Sequence, residues 1–432
     1  MVGALKRELP TLLWRRQFSS SCRRPDIKDF RELPDRIYPS YRETKSHDLL
    51  SLQWPSPPRN ILLVKKDTSP QATASLVEFA KHICSTYPSI SIILEPSTAS
   101  ELHTQLPVAI YTHTHPFQRT LPFDNKTDLI TSFGGDGTIL RASSLFSTSP
   151  SVPPILSFSM GTLGFLGEWK FADYKRAFRE AYMSGVSLHE RGPALATPTD
   201  SLKEGWAAMR GKSLGSQRAS RVLLRSRLKV SSSPCIFNGP EESTSKGLLH
   251  AMNEIILHRG SSPHLTNISI SIGSGSQAQH LTTAIADGII ISTPTGSTAY
   301  SLSSGGSIVH PLVPALLITP ICPRSLSFRP LVLPANVQVR LRVEETMRGD
   351  RGVEVSVDGR REGGLGVGGE VLVQGEEVGR MPPSEGEEEQ DVKWKGGVPC
   401  ILRGGKEEGG GDGWVGGLNG LLKFNYPFGE DG

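Results

Sequence analysis

The chain has 432 residues, 37% hydrophobic and 21% charged. That fits two or three domains with a sizeable core and excludes a small disulfide-stapled scaffold. The formal charge of +4 is local: residues 1–25 hold six basic residues and one acid, and the remainder is close to neutral. Without a global basic excess, the body of the protein gives no reason to expect a nucleic-acid partner.

In chain order, residues 1–25 read as a mitochondrial transit peptide. They are Arg-rich, they space apolar residues helically (Leu5, Leu9, Leu12, Leu13), and Arg16-Gln17-Phe18 leads into a Ser run. The five cysteines lie far apart and form no Cys-x-x-Cys pair, which fits a reducing compartment such as the matrix. No apolar run approaches the ~18 residues of a membrane span, so no membrane is expected. Residues 26–58, polar and proline-containing, read as a linker.

From residue 59 the pattern alternates strand and helix. Asn60–Val64 is a branched apolar run, Thr73–Tyr87 has helical spacing, and Ser91–Leu94, Asp128–Phe133 and Pro154–Phe158 are further strands. This predicts a parallel α/β domain over 59–170. A helix at Phe171–Ser184 then leads to short strands at Arg221–Val230, Glu254–His258, Thr266–Ile272, Gly288–Ser292, Asn336–Val343 and Gly352–Val357. They predict a β-sandwich-like all-β C-terminal domain over 171–360. Ser/Gly/Pro-rich insertions are expected at 192–218 and 231–247. Residues 361–412, Gly/Glu-rich and holding a large share of the chain's glycines, read as low-complexity and unpacked. The apolar end, 413–432, reads as a docking tail.

Two stretches carry chemistry. Gly134-Gly135-Asp136-Gly137-Thr138 follows an apolar strand and opens a helix, which puts it at the carboxyl edge of a parallel sheet, where ligands bind. Glycines let phosphate approach the backbone and the helix start offers free N–H groups. A carboxylate there suits proton acceptance from an attacking hydroxyl, or help with Mg²⁺, better than a plain phosphate cradle. The alternative is a tight turn with Asp136 capping its helix.

The strand Asp287–Ser292 runs into Thr293-Pro294-Thr295-Gly296-Ser297-Thr298-Ala299-Tyr300-Ser301-Leu302-Ser303. So many hydroxyls after a buried strand read as a ligand-facing wall, or else as a solvated loop. Asn253-Glu254 pairs an amide with a carboxylate and suits two adjacent ribose hydroxyls. A turn at the start of a strand is the plainer alternative.

In this order the Gly-Gly-Asp-Gly turn, the Asn-Glu pair and the Thr-Ala-Tyr-Ser-Leu-Ser stretch resemble the NAD kinase family. Gly161–Leu166, Pro323–Ser327 and Val357-Asp358-Gly359 match as well, and Leu421–Phe428 looks like the ending of fungal mitochondrial members that phosphorylate NADH. The resemblance covers about 59–360 and the tail. It implies two domains with the site between them, and transfer of the γ-phosphoryl of ATP, with Mg²⁺, to the 2′-hydroxyl of the adenosine ribose of NAD or NADH. It makes Asp136 the expected base and places Asp136, Gly137, Asn253, Glu254, His264, Asp287, Thr295, Thr298, Ala299, Tyr300, Ser301, Leu302 and Ser303 at the dinucleotide. Gly134, Gly135 and Thr138 are expected at the ATP phosphates. No residue set is expected to form a metal site. A homo-oligomer is expected because the family commonly forms one.

Three positions depart from the pattern: Ser304 for a frequent Ala, Ile285 where some bacterial members have Arg, and Arg360 where many have Gln. Among weaker signals, His113-Thr114-His115 reads as a surface loop and Cys322 as a core thiol. Two other functions fit parts of the sequence. A lipid kinase of the diacylglycerol or sphingosine type shares the glycine turn but gives no reason for the Thr-rich stretch. A non-catalytic dinucleotide sensor would not need Asp136.

Overall fold

The computed structural model describes residues 27–43, 49–106, 108–113, 123–161, 164–167, 169–185, 220–237, 247–345, 352–380, 394–403 and 418. The transit-peptide reading, the insertion at 192–218 and the tail motif Leu421–Phe428 lie outside them. Among the described residues no helix is long and apolar enough to cross a membrane.

The first domain is built on strands that are apolar on both faces. In Asn60–Lys65, Ile61 and Leu63 pack into one buried cluster and Leu62 and Val64 into another. The period of two thus serves two helical layers. One layer is the helix Pro70–Thr86, started by Ser69, whose hydroxyl accepts from Ala72 N–H at 3.3 Å, with Pro70 in the first turn. Its Leu76, Phe79 and Ile83 lie in the cluster with Ile61 and Leu63. The other layer is the helix Asp136–Ser144, whose Ile139 and Ala142 lie in the cluster with Leu62 and Val64. Burying each such large side chain contributes roughly 1.5–3 kcal/mol.

The sheet runs in the order Ile27–Asp29, Ile110–Thr112, Ser91–Leu94, Asn60–Lys65, Leu129–Gly134, Ile155–Ser159, Val398–Ile401, Arg221–Arg225, Leu50–Gln53, Ser40–Glu43. Pairing is parallel as far as Val398–Ile401 and antiparallel beyond it. The second domain is two six-stranded antiparallel sheets. Their inner faces share one core, with Ile268, Ile270, Val339 and Leu341 from one sheet and Ile255, Leu257, Ile289 and Ile291 from the other. An α/β domain followed by a β-sandwich agrees with the sequence-based expectation of fold class.

Four readings change. The segment 26–58 is not a linker: Ile27–Asp29, Ser40–Glu43 and Leu50–Gln53 are strands of the first sheet, and Leu52 and Trp54 are core residues. Arg221–Val230 is two strands, not one. Arg221–Arg225 joins the first sheet and Leu228–Ser233 the second domain, so the chain changes domains at Ser226-Arg227. The insertion read at 231–247 begins inside that second strand, and Phe237 is buried. Finally, 361–412 is packed where it is described. Arg360–Leu365, Glu370–Gly375 and Val398–Ile401 are strands, and Val371 and Val373, either side of the half-buried Leu372, point into the sandwich core. Glycine and glutamate dominate the composition of the segment and hide these short apolar strands. Two smaller readings fall as well: His113 is buried and stacked on Phe30, and Cys322 is exposed.

Candidate active site

The strand Leu129–Gly134 is wholly buried and delivers the chain to the head of the helix Asp136–Ser144. Gly134 is needed for packing. A Cβ there would stand 2.9 Å from Thr138 Cβ, and Thr138 itself is buried. Gly135 and Gly137 are different: both are exposed, with nothing within 4 Å of an added Cβ. Of the turn's glycines, these two leave room for a phosphate beside the N–H groups of the helix start.

Asp136 does not cap its own helix. Its carboxylate reaches across to the loop at 164–167, accepting the Phe165 N–H at 2.9 Å on Oδ2 and the Leu166 N–H at 3.1 Å on Oδ1. Gly164 makes this possible, because a Cβ there would overlap the carboxylate. A carboxylate has about four lone-pair sites, so two N–H donors fix its direction and leave it able to accept from a hydroxyl.

Facing Asp136 across a cavity of about 280 Å³ are Asn253, Glu254, Thr295, Thr298, Ala299, Asp358 and Gly359, with Leu140, Phe165 and Leu166 completing the lining. Asn253 and Glu254 are 7% and 6% exposed. Asn253 Oδ1 and Glu254 Oε2 are buried and have no hydrogen-bond partner among the described residues. Leaving such groups unsatisfied costs about 1–3 kcal/mol each. Both line the cavity, so a bound molecule can satisfy them.

Asp358 holds this pair in place. It sits with Gly359 at φ +46 and +75 in a tight turn between Val353–Val357 and Arg360–Leu365, a conformation that suits Asp-Gly. Its carboxylate accepts the N–H groups of Met252 at 2.8 Å and Asn253 at 2.7 Å, and more distantly that of Glu254 at 3.2 Å. Burial and the neighbouring Asp358 charge together push the Glu254 carboxyl up to about 8. Burial also raises Asp358, against the pull of its three N–H donors.

The Thr-rich stretch divides by direction. Thr295, Thr298 and Ala299 face the cavity. The hydroxyls of Thr293, Ser297 and Ser301 turn inward as braces. Thr293 donates to Met252 O at 2.7 Å, Ser297 to Pro294 O at 2.6 Å, and Ser301 pairs with Thr319 at 2.8 Å. Gly296 lets the loop lie on the Asn253 backbone, where a Cβ would come within 2.6 Å of the carbonyl carbon. Tyr300, 41% exposed, and Leu302 and Ser303 lie outside the cavity lining.

His264 and Asp287 are not brought to this cavity. Asp287 accepts from Arg259 Nε at 2.6 Å, and the His264 N–H meets Ser262 Oγ at 3.4 Å. Glu254 is opposite Ser292 and His258 opposite Gly288, so this group sits four residues, about 14 Å, along the strands from Glu254.

Sequence reasoning missed Asp358 as a site residue, although its Asp-Gly turn is legible. It also missed Arg225, 3% exposed, which meets Thr295 Oγ1 and the Phe165 carbonyl at 3.4 and 3.5 Å.

Comparison with known proteins gives a consistent result. Residues 61–185 match the model of the ATP-NAD kinase N-terminal domain, and residues 252–377 that of the ATP-NAD kinase C-terminal domain. The chain is 36% identical to the mitochondrial NADH kinase of Saccharomyces cerevisiae over 404 residues, covering 88% of this chain and 84% of that protein. It is 36% identical to the mitochondrial NADH kinase of Schizosaccharomyces pombe over 407 residues, covering 93% and 86%. The crystal structure of yeast NADH kinase complexed with NADH superposes with a TM-score of 0.70 at 34% identity, covering 94% of this chain and 98% of that one.

Proposed function

Because the chain belongs to the NAD kinase family, we propose that it transfers the γ-phosphoryl group of ATP to the 2′-hydroxyl of the adenosine ribose of NAD or NADH. The observation that carries this reading is the pair of buried, unpartnered atoms, Asn253 Oδ1 and Glu254 Oε2, facing the fixed carboxylate of Asp136 across one cavity. An amide and a carboxyl side by side can take two vicinal hydroxyls of a ribose. Seated there, the 2′-hydroxyl meets Asp136, which orients it and accepts its proton as the bond to phosphorus forms. The open backbone at Gly135 and Gly137 and the helix start behind it favour the triphosphate on that side.

Among the described residues no group of three or more His, Cys, Asp or Glu could hold a metal ion. Magnesium enters this proposal as part of MgATP, bound chiefly by the substrate's phosphates and screening their charge. The basic leader over residues 1–25, together with the mitochondrial relatives, supports work in the mitochondrial matrix. A homo-oligomer is part of the same proposal.

Purified protein given MgATP with NAD or NADH should form NADP or NADPH. Diacylglycerol and sphingosine in place of the dinucleotide should give no product. Phosphorylation of either lipid without NADP(H) formation, or dinucleotide binding with no turnover, would overturn the reading in favour of a lipid kinase or a sensor.

A further inference from the structure

Two buried arginines stand two residues apart where the chain passes between domains, and they are satisfied very differently. Every nitrogen of the Arg227 guanidinium has a partner. It forms a bidentate pair with Glu376 at 2.8 and 2.6 Å and donates to the carbonyls of Phe146 and Ser149. Arg225 is as deeply buried, yet no carboxylate among the described residues pairs with it. Among the described residues its Nε is buried without a partner, and its two bonds are the long ones to Thr295 Oγ1 and the Phe165 carbonyl. A buried cation so poorly compensated is a net cost to folding, so its value lies elsewhere.

We propose that Arg225 is a positioning residue for Asp136, acting through the Phe165–Leu166 peptide. The carbonyl it meets belongs to the peptide unit whose N–H, on Leu166, donates to Asp136 Oδ1. A guanidinium at the oxygen end of that peptide polarises it and turns its N–H toward the carboxylate, since linked hydrogen bonds strengthen one another in a dry interior. The second contact works in the same direction. Arg225 belongs to a strand of the first sheet, whereas Thr295 lies on the facing wall of the cavity, in the second domain. One side chain therefore ties the loop that aims Asp136 to the wall that seats the acceptor. Arg225 is not part of the cavity lining, so its effect on the reaction is indirect.

The inference rests on Asp136 being the base, so the test carries both residues. Arg225→Met, Arg225→Lys, Asp136→Asn and the Arg225→Met/Asp136→Asn double variant are made in the full chain. Each is assayed for kcat, for KM of both substrates and for ligand-free Tm. Arg225→Met should lower kcat roughly 10–100-fold, the usual cost of losing an outer-layer partner of an active-site group. KM for the dinucleotide should move only a few-fold, and Tm should hold or rise because an uncompensated cation has left the interior. Arg225→Lys should recover part of kcat. On the Asp136→Asn background, Arg225→Met should cost less than about threefold, because the group it positions is already disabled.

Arg225→Met with kcat within about threefold of wild type would overturn the proposal. So would a Met variant that fails to fold or loses Tm, or a double variant in which the two losses multiply; each points to packing. Near-normal kcat in Asp136→Asn would instead remove the base itself, and the Arg225 role with it.

Discussion

Replacing Gly164 with alanine tests whether the placement of Asp136 matters, without touching its chemistry. A Cβ at Gly164 would stand 2.5 Å from Asp136 Cγ and 2.6 Å from Oδ2, closer still to Oδ1, and real Cβ atoms do not come within 3.0 Å. The carboxylate must therefore retreat by at least about 0.5 Å, and by more at Oδ1. It is the mobile end of a side chain, so it can yield while the backbone stays. Gly164 does not adopt the left-handed conformation, so alanine brings no backbone strain, and its lower unfolded-state entropy contributes about 0.4–1 kcal/mol in favour of the fold. Against this stands the weakening of two hydrogen bonds to a charged group, worth about 1.5–3 kcal/mol each. The net expectation is a Tm lower by a few degrees. Misplacing a reacting group by about 1 Å costs roughly 10² in rate, so kcat should fall by about that factor, with KM for ATP and NAD(H) changed much less. Gly366→Ala, where an added Cβ meets nothing within 4 Å, is the control for a generic Gly→Ala effect. A Gly164→Ala enzyme with kcat within about threefold of wild type would show that the carboxylate's position is immaterial.

Other changes probe the remaining parts. Asp136→Asn should lower kcat by ~10²–10⁴ with dinucleotide affinity nearly kept; normal kcat would exclude a role as base. Asn253→Ala should raise the apparent KM for NAD(H) well above any change for ATP, and equal effects on both would favour a folding role. Glu254 predicts a pH-dependent stability difference. Its carboxyl is held near 8 in the folded protein against 4.5 ordinarily, so between those values the native state holds the extra proton and wild-type stability falls as pH rises. Glu254→Gln removes that loss, so its Tm gain should be near zero at pH 5 and largest at pH 8.5, whereas parallel Tm curves would refute the shift. A fluorescent fusion lacking residues 1–25 should remain in the cytosol while the truncated enzyme stays active. Import without the leader would overturn its assignment.

Much of the architecture is legible in the sequence because its signals are local. The apolar run at Asn60–Val64 and the helical spacing after Ser69 each declare their element. Glu254–His258, Thr266–Ile272 and Gly288–Ser292 have the expected limits. The side of the first sheet beyond Ile155–Ser159 is not legible in this way. Leu50–Gln53 and Val398–Ile401 are short, lie in polar or glycine-rich surroundings, and become strands through partners far away in sequence, and Ser40–Glu43 then pairs on Leu50–Gln53.

The site divides along the same line. Which residue types carry the chemistry is written in sequence: a carboxylate between glycines at a strand–helix junction, an amide beside a carboxyl, a dense run of hydroxyls. Each is a short-range pattern set by backbone geometry. Which of them meet is decided only by the tertiary structure. Folding brings Asp136 to the loop N–H groups of Phe165 and Leu166, places Asp358 under Asn253 and Glu254, and turns Ser301 inward while Thr295 faces the cavity. It also puts Arg225 beside both walls and leaves Asp287, next to Gly288, at the end of the paired strands away from Glu254. The physical reason is that hydrogen-bond partners, strand register and burial are relations between segments far apart in sequence, from 18 residues for Ser301 and Thr319 to 105 for Asn253 and Asp358. A single run of sequence supplies only one side of each relation, and only the packed chain supplies the other.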